Sequence, residues 1–157
     1  MIKTARTPAD FKAGAALFRQ YAADLTVDLS FQDFGNEVNH IHQKYSLPNG
    51  VLFLAEDDQR PVACAGLRRL DIKTVELKRM FVMKEHRGKG IGKSLLSKAL
   101  ETAEEQGYDR MVLDSLPDMK AAQALYISYG FYRIAPYYHS PVEGTAFFEK
   151  RINTFFP

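Results

Sequence analysis

The chain has 157 residues, 46% of them hydrophobic and 25% charged, with a net charge of +2 at neutral pH. That composition suits a soluble globular protein with a sizeable core and argues against a disordered or fibrous chain. No apolar run reaches membrane-spanning length and no long basic tract exists, so neither a membrane nor a nucleic acid is expected as a partner. One domain over residues 1–157 is expected. The only cysteine, Cys64, excludes an intrachain disulfide. Within Val62-Ala63-Cys64-Ala65 it reads as a buried structural thiol. The N-terminus lacks the apolar core of a signal peptide, and a cytoplasmic location is expected.

Met1 to Arg6 reads as a short edge strand. Thr7-Pro8-Ala9-Asp10 starts a helix: threonine caps, proline suits the first helical position, and aspartate favours the helix dipole. Phe11, Ala15, Leu17, Phe18, Tyr21, Ala22 and Leu25 carry it to about residue 26. A second helix is predicted from Ser30, with Phe31, Phe34, Val38, Ile41 and Tyr45 at helical spacing, and Leu47-Pro48-Asn49-Gly50 stops it. Val51 to Ala55 is a compact strand, Glu56 to Arg60 a polar hairpin connection, and Pro61 to Leu70 the returning strand. Val75 to Val82 is the central buried strand. The helix beginning at Gly90 has Ile91, Leu95, Leu96, Ala99, Leu100 and Ala103 on one face. Arg110 to Asp114 is another buried strand, Met119 to Tyr129 a helix closed by Gly130, and Phe131 to Ile134 and Thr145 to Ile152 the last two strands.

Between the central strand and its helix lies a turn with Gly88, Gly90 and Gly92. From Lys78 to Lys93 there are six Lys or Arg residues and one Glu. Glycine permits close backbone approach and positive φ, and the first amides of a helix have no internal partner. Such a turn is a phosphate cradle. It misses the dinucleotide fingerprint, since the spacing is G-x-G-x-G, and it misses the P-loop, whose first glycine would fall at Arg87.

Arg87-x-x-Gly90-x-Gly92 resembles the pyrophosphate loop of the GNAT family of acetyl-CoA-dependent N-acetyltransferases. Ala122-Gln123-Ala124-Leu125-Tyr126-Ile127-Ser128-Tyr129-Gly130-Phe131 resembles the A-x-x-L-Y-x-x-x-G-F segment of the same family, in the expected order. The resemblance covers about residues 74 to 134. It implies an α/β fold of the GNAT acyltransferase type, a central mixed sheet flanked by helices, which the element order also matches. It implies acetyl-CoA as cosubstrate. Arg87, Gly88, Lys89, Gly90, Ile91, Gly92 and Lys93 would hold the pyrophosphate, with a hydroxyl from Ser94, and the backbone of Met80, Phe81 and Val82 would pair with the pantetheine arm. Relatives often carry Asn at the position of Met119, so that pantetheine contact is missing unless Lys120 replaces it.

Acetyl transfer requires a deprotonated amine, a stabilised oxyanion and a proton donor for the leaving thiolate. Glu76 is the candidate base. Two-residue periodicity puts its side chain on the face of Lys78 and Met80. Its place eleven residues before Arg87 matches the catalytic glutamate of some histone-type relatives. A carboxylate is ordinarily a weak base near pH 7, so the role calls for burial or a relaying water. The other reading is a structural Glu76–Lys78 pair. Tyr126 is the candidate acid, because the resemblance turns it toward the coenzyme A sulfur; the other reading is a core aromatic. Tyr137, Tyr138 and His139 are either core or loop residues or the lining of an acceptor pocket. His40 and His42 are two apart on a helix and share no face, and His86 reads as an exposed turn residue. No metal site is expected.

The expected function is acetyl transfer from acetyl-CoA to a primary amine without a covalent intermediate. The alternative is a catalytically silent CoA-binding or sensing module. Residues 20 to 43 contain Asp24, Asp28, Asp33 and Glu37 and no Lys or Arg. An acidic rim there predicts a small cationic amine or basic peptide end as acceptor. Phe155 and Phe156 offer a surface for a homodimer.

Overall fold

The computed structural model describes residues 1–152. Strands β1 (Ile2–Thr4), β2 (Gly50–Asp57), β3 (Arg60–Arg69) and β4 (Thr74–Val82) pair antiparallel in that order. Helix α1 (Pro8–Asp24) separates the first two; Thr7 caps it as the sequence predicts, and Asp10, expected only to favour the dipole, also accepts from Thr7 N to complete a reciprocal capping box. β5 (Arg110–Ser115) joins β4 in parallel, after a crossover through α4 (Ile91–Glu105). α5 (Lys120–Ser128) then leads to β6 (Tyr132–Ile134) and β7 (Ala146–Arg151), giving a mixed sheet of order β1-β2-β3-β4-β5-β7-β6.

Each face of the sheet has its own core. Leu95, Leu96, Ala99 and Ala103 of α4 pack on Val75, Leu77, Met111 and Leu113. Phe11 and Phe18 of α1 pack on Leu52, Leu54, Cys64 and Phe81. Burying each large apolar side chain is worth roughly 1.5–3 kcal/mol. Cys64 is fully buried, burial pushes its thiol well above the ordinary range, and its Sγ donates to the Arg79 carbonyl at 3.3 Å.

The predicted second helix is broken. Leu29–Gln32 forms a 3₁₀ turn capped by Asp28, whose carboxylate accepts from Ser30 N at 2.8 Å. Asp33 then takes φ 59°, and the chain continues as two short helices, α2 (Phe34–Asn39) and α3 (Ile41–Lys44). The helical spacing is real, but Asp, Asn and Gly in this stretch offer local backbone bonds that compete with a continuous helix.

β4 is not regular either. Cys64 pairs with Phe81 and Gly66 with Lys78, so Arg79 and Met80 together oppose a single residue of β3. Arg79 takes φ 57°, an uncommon conformation for a residue with a Cβ. The bulge reverses the inside–outside alternation. Met80 and Val82 turn to the α4 face, while Arg79 and Phe81 turn to the α1 face. The expectation that Met80 shares the face of Glu76 and Lys78 fails for this reason: simple periodicity does not survive an extra residue.

Arg79 is buried with all three guanidinium nitrogens engaged. Nε and one terminal nitrogen donate to the Glu37 carboxylate at 2.9 and 2.8 Å, and the other terminal nitrogen donates to Gln32 Oε1 at 2.8 Å. Tyr45 OH donates to the same carboxylate at 2.7 Å, and its ring lies where a Cβ on Gly66 would be, 2.4 Å away. Glu37 is therefore no part of an acidic rim. Burial pushes its carboxyl up, but the hydrogen bonds and charge of Arg79 outweigh that and hold it below the ordinary carboxylate value. A carboxylate with a depressed native pKa stabilises the fold above its unfolded value, near pH 4.3, and this contribution is lost as pH falls through the native value. Glu37→Gln should cost about 3–5 kcal/mol near neutrality, because Arg79 is left buried and unpaired. Urea unfolding as a function of pH should also show a shallower acid loss of stability in the variant than in the wild type.

Candidate functional site

β4 and β5 pair only at Thr74–Arg110, Val75–Met111 and Glu76–Val112. Beyond these β4 runs on to Val82 and β5 to Ser115 without facing ladder bonds, so the two strands part. A cavity of about 50 Å³ lies in the gap, walled by Lys78 to Met80 on one side, Asp114 to Leu116 on the other and Tyr126 of α5. It opens at Tyr21, Met80, Met119 and Ala122 into a groove of about 720 Å³ that reaches the glycine turn.

Gly90 is the N-cap of α4 with φ +83°, and no side chain caps this end. Ser94 N makes the first intrahelical bond back to Gly90 O, so the amides of Ile91, Gly92 and Lys93 have no partner within the helix. A Cβ at Gly88 or Gly90 would meet nothing within 4 Å, and one at Gly92 would meet only Leu125, at 3.8 Å. The glycines leave an open anion-sized approach to free amides, which fits a pyrophosphate. The Ser94 hydroxyl bonds to Gly90 O at 3.1 Å. Arg87 folds back, donating from Nε to Val82 O at 2.8 Å, with its guanidinium over Phe81 and 3.6 Å from Asp24.

At the vertex where the strands part, Glu76 and Asp114 share a face, since Glu76 pairs with Val112 two residues before Asp114. Tyr137 OH donates to Glu76 Oε2 at 2.6 Å, and Lys78 Nζ lies 3.9 Å from the other oxygen. Tyr138 OH donates to Asp114, and Gln32 Nε2 reaches both groups at 3.4 Å. The two tyrosine rings pack edge-to-face on each other and on Phe147. Burial, followed by the neighbouring carboxylates, raises both hydroxyls well above the ordinary tyrosine value, so they are fixed donors. Tyr126 is also buried, against Phe131 and Phe148, and burial raises its hydroxyl in the same direction.

The two lines of sequence argument meet here. Glu76 and Lys78 approach to 3.9 Å, as in the structural reading of Glu76, and Lys78 lines the cavity together with Met80 and Tyr126. Tyr137 and Tyr138 reach the two carboxylates, Glu76 and Asp114, rather than the cavity wall, whereas His139 is exposed and makes none of these contacts. Asp114, Gln32 and Arg79 went unrecognised. A lone acid ending the apolar run Met111-Val112-Leu113 was a signal for Asp114; no local signal marks the other two. Met119 and Lys120 line the groove. His86 is half-buried rather than exposed, with Nε2 3.3 Å from Asp57. Phe155 and Phe156 lie outside the described residues. Among the described residues no helix is long and apolar enough to cross a membrane.

The sequence pattern of the Acetyltransferase (GNAT) family matches residues 16–131. An uncharacterized N-acetyltransferase of Schizosaccharomyces pombe is 30% identical, over 93% of this chain and 91% of that protein. One of Dictyostelium discoideum is 31% identical, over 80% and 86%. An acetyltransferase of Salmonella typhimurium, solved with acetyl-CoA, superposes with a TM-score of 0.77 at 21% identity, covering 100% of this chain and 96% of that one.

The raised tyrosines generate an alkaline prediction. A group with a raised native pKa stabilises the fold fully below its unfolded value, near pH 10, and that contribution disappears as pH rises through the native value. Tyrosinate absorbance of the folded protein should therefore be unchanged by Tyr137→Phe or Tyr138→Phe up to about pH 10.5. A loss of tyrosinate signal below that pH in either variant would show the hydroxyl to be free.

Proposed function

The chain belongs to the GNAT acetyltransferase family, and on that premise we propose that it moves acetyl from acetyl-CoA to a primary amine by direct attack, with no covalent enzyme intermediate. The observation that carries this reading is the parting of β4 and β5 beside an uncapped helix N-terminus. Acetyl-CoA, when bound, supplies the activated acyl group. Arg87, Gly88, Lys89, Gly90, Ile91, Gly92 and Lys93 hold its pyrophosphate through free amides and positive charge, while the hydroxyl of Ser94 stays on Gly90 O. The backbone of Met80, Phe81 and Val82 has no ladder partner on the β5 side, so it can pair with the amides of an extended arm as an added strand would. A β4 amide in the gap also serves as the oxyanion donor.

Glu76 takes the amine proton, directly or through a water, and Lys78 and Tyr137 fix its orientation. Tyr126 keeps its proton at neutral pH, passes it to the departing sulfur, and is reprotonated by the second proton lost from the attacking nitrogen. The net reaction converts an ammonium and a thioester into an amide, a thiol and one released proton. The acceptor enters as a cation, drawn by Glu76 and Asp114 rather than by the helix carboxylates, since Glu37 is neutralised by Arg79 and Asp24 faces Arg87.

Two measurements test this. Gly90→Val places a β-branched residue at positive φ and should weaken acetyl-CoA binding at least tenfold, about 1.4 kcal/mol. Unchanged affinity in the folded variant would rule out this turn as the phosphate site. In wild type, kcat/KM for the amine should rise with pH along a limb that Glu76→Gln abolishes. A variant keeping both the limb and the rate would mean that the amine arrives neutral and needs no base.

A further inference from the structure

A second opening lies toward the other end of β4, on the face that carries Glu76. A groove of about 580 Å³ runs between the end of β3 and helices α2 and α3. Its ionisable lining is wholly basic: Arg68, Arg69, Lys44 and His40, with three carboxamide side chains and no carboxylate.

The cations in it are uncommitted. Arg68, Arg69 and Lys44 take part in no salt bridge among the described residues. The nearby acids are engaged elsewhere. Glu76, the cross-strand partner of Arg68, is held by Tyr137 and Lys78. Glu37 is held by Arg79 and Tyr45. Asp71 turns back to accept from the amides of Lys73 and Thr74, both at 2.8 Å. The walls are tied to one another: Arg69 N donates to Asn49 O at 2.8 Å, and Asn49 Nδ2 donates to Gln43 O at 3.0 Å.

Like charges gathered in a recess repel one another unless an anion joins them. Guanidinium forks and carboxamide NH₂ groups are the donors that carboxylate and phosphate oxygens accept best. The phosphates of acetyl-CoA are not the occupant. Arg69 faces Val75 at the start of β4, whereas the glycine turn follows its end at Val82. The two regions are thus roughly 20–25 Å apart at ~3.3 Å per strand residue.

We propose that this groove is a binding site for a small carboxylate or phosphate group, separate from the acetyl-CoA cleft. The anion has two possible sources: a free ion, or the acceptor's own acidic group, since Arg68 stands beside Glu76 on one face. The anion site itself stands independently of the catalytic roles given above, whereas the acceptor as its source rests on them.

The test uses the full chain with excess coenzyme A, so that the glycine turn is filled, and with ionic strength held constant by sodium chloride. Inorganic phosphate and malonate are titrated and followed by amide chemical shifts. Saturable binding is expected, weakened at least tenfold by Lys44→Gln with Arg69→Gln, while coenzyme A binding is unchanged. Arg69 is exposed and Lys44 half-buried, so the double variant should keep its melting temperature. Absence of saturable binding in wild type, or equal binding in the folded double variant, overturns the proposal. A kinetic arm compares amino acids with their carboxamides as acceptors. A tenfold rise in KM for the acids alone in the double variant supports the acceptor as the source. Loss of phosphate binding with both KM values unchanged supports a free anion.

Discussion

A guanidinium buried inside the sheet holds the working geometry of this protein. Arg79 sits at φ 57° in the middle of β4, a conformation that costs of order 1 kcal/mol or more for a residue with a Cβ. The Glu37 carboxylate, Gln32 and the rings of Tyr21 and Phe34 around it offset that cost. The bulge they stabilise decides which β4 side chains face which core. The same guanidinium reaches through Gln32 to Asp114 and Tyr138 at the vertex of the cleft. One ion pair thus fastens the 3₁₀ turn, α2 and β4 to each other.

Most of the fold was legible because most of it is local. Helix caps, glycine stops and apolar periodicity placed the strands and the three long helices within a few residues. Even the hairpin at Asp58 and Gln59, which lacks glycine, was readable from its polarity, although both residues adopt positive φ. The misreadings share a cause. The helix from Ser30 and the face of Met80 were both inferred from an unbroken period, and both are interrupted where distant residues meet. Glu37 lies 42 residues from Arg79, a pairing that no local pattern encodes.

The site followed the same division. The glycine turn is a contiguous motif, and its open space and free amides are what glycine at those positions provides. Glu76 and Tyr126 were reachable through motif and resemblance. Asp114, Gln32 and the pairing of Tyr137 with Glu76 arise only when four separate segments converge. Charge was the least legible property. Acidic residues counted along the chain suggested a rim, yet folding cancels one of them with Arg79 and sets another against Arg87. What remains at the vertex is two carboxylates from two different strands.

The three-residue seam between β4 and β5 also bears on the mechanics of the whole sheet. β1 to β4 form one ribbon and β5 to β7 another, and past the seam each presents an unzipped edge to the other. A molecule lying extended in that gap acts as a missing strand, knitting the ribbons by the bonds they do not make to each other. Cohesion between the halves then becomes a function of how much of that molecule is present, since whatever binds only the folded form adds its binding free energy to stability. Any molecule that lies along both edges would therefore stiffen the whole sheet in proportion to its occupancy, so that a three-residue seam makes rigidity itself dependent on a ligand.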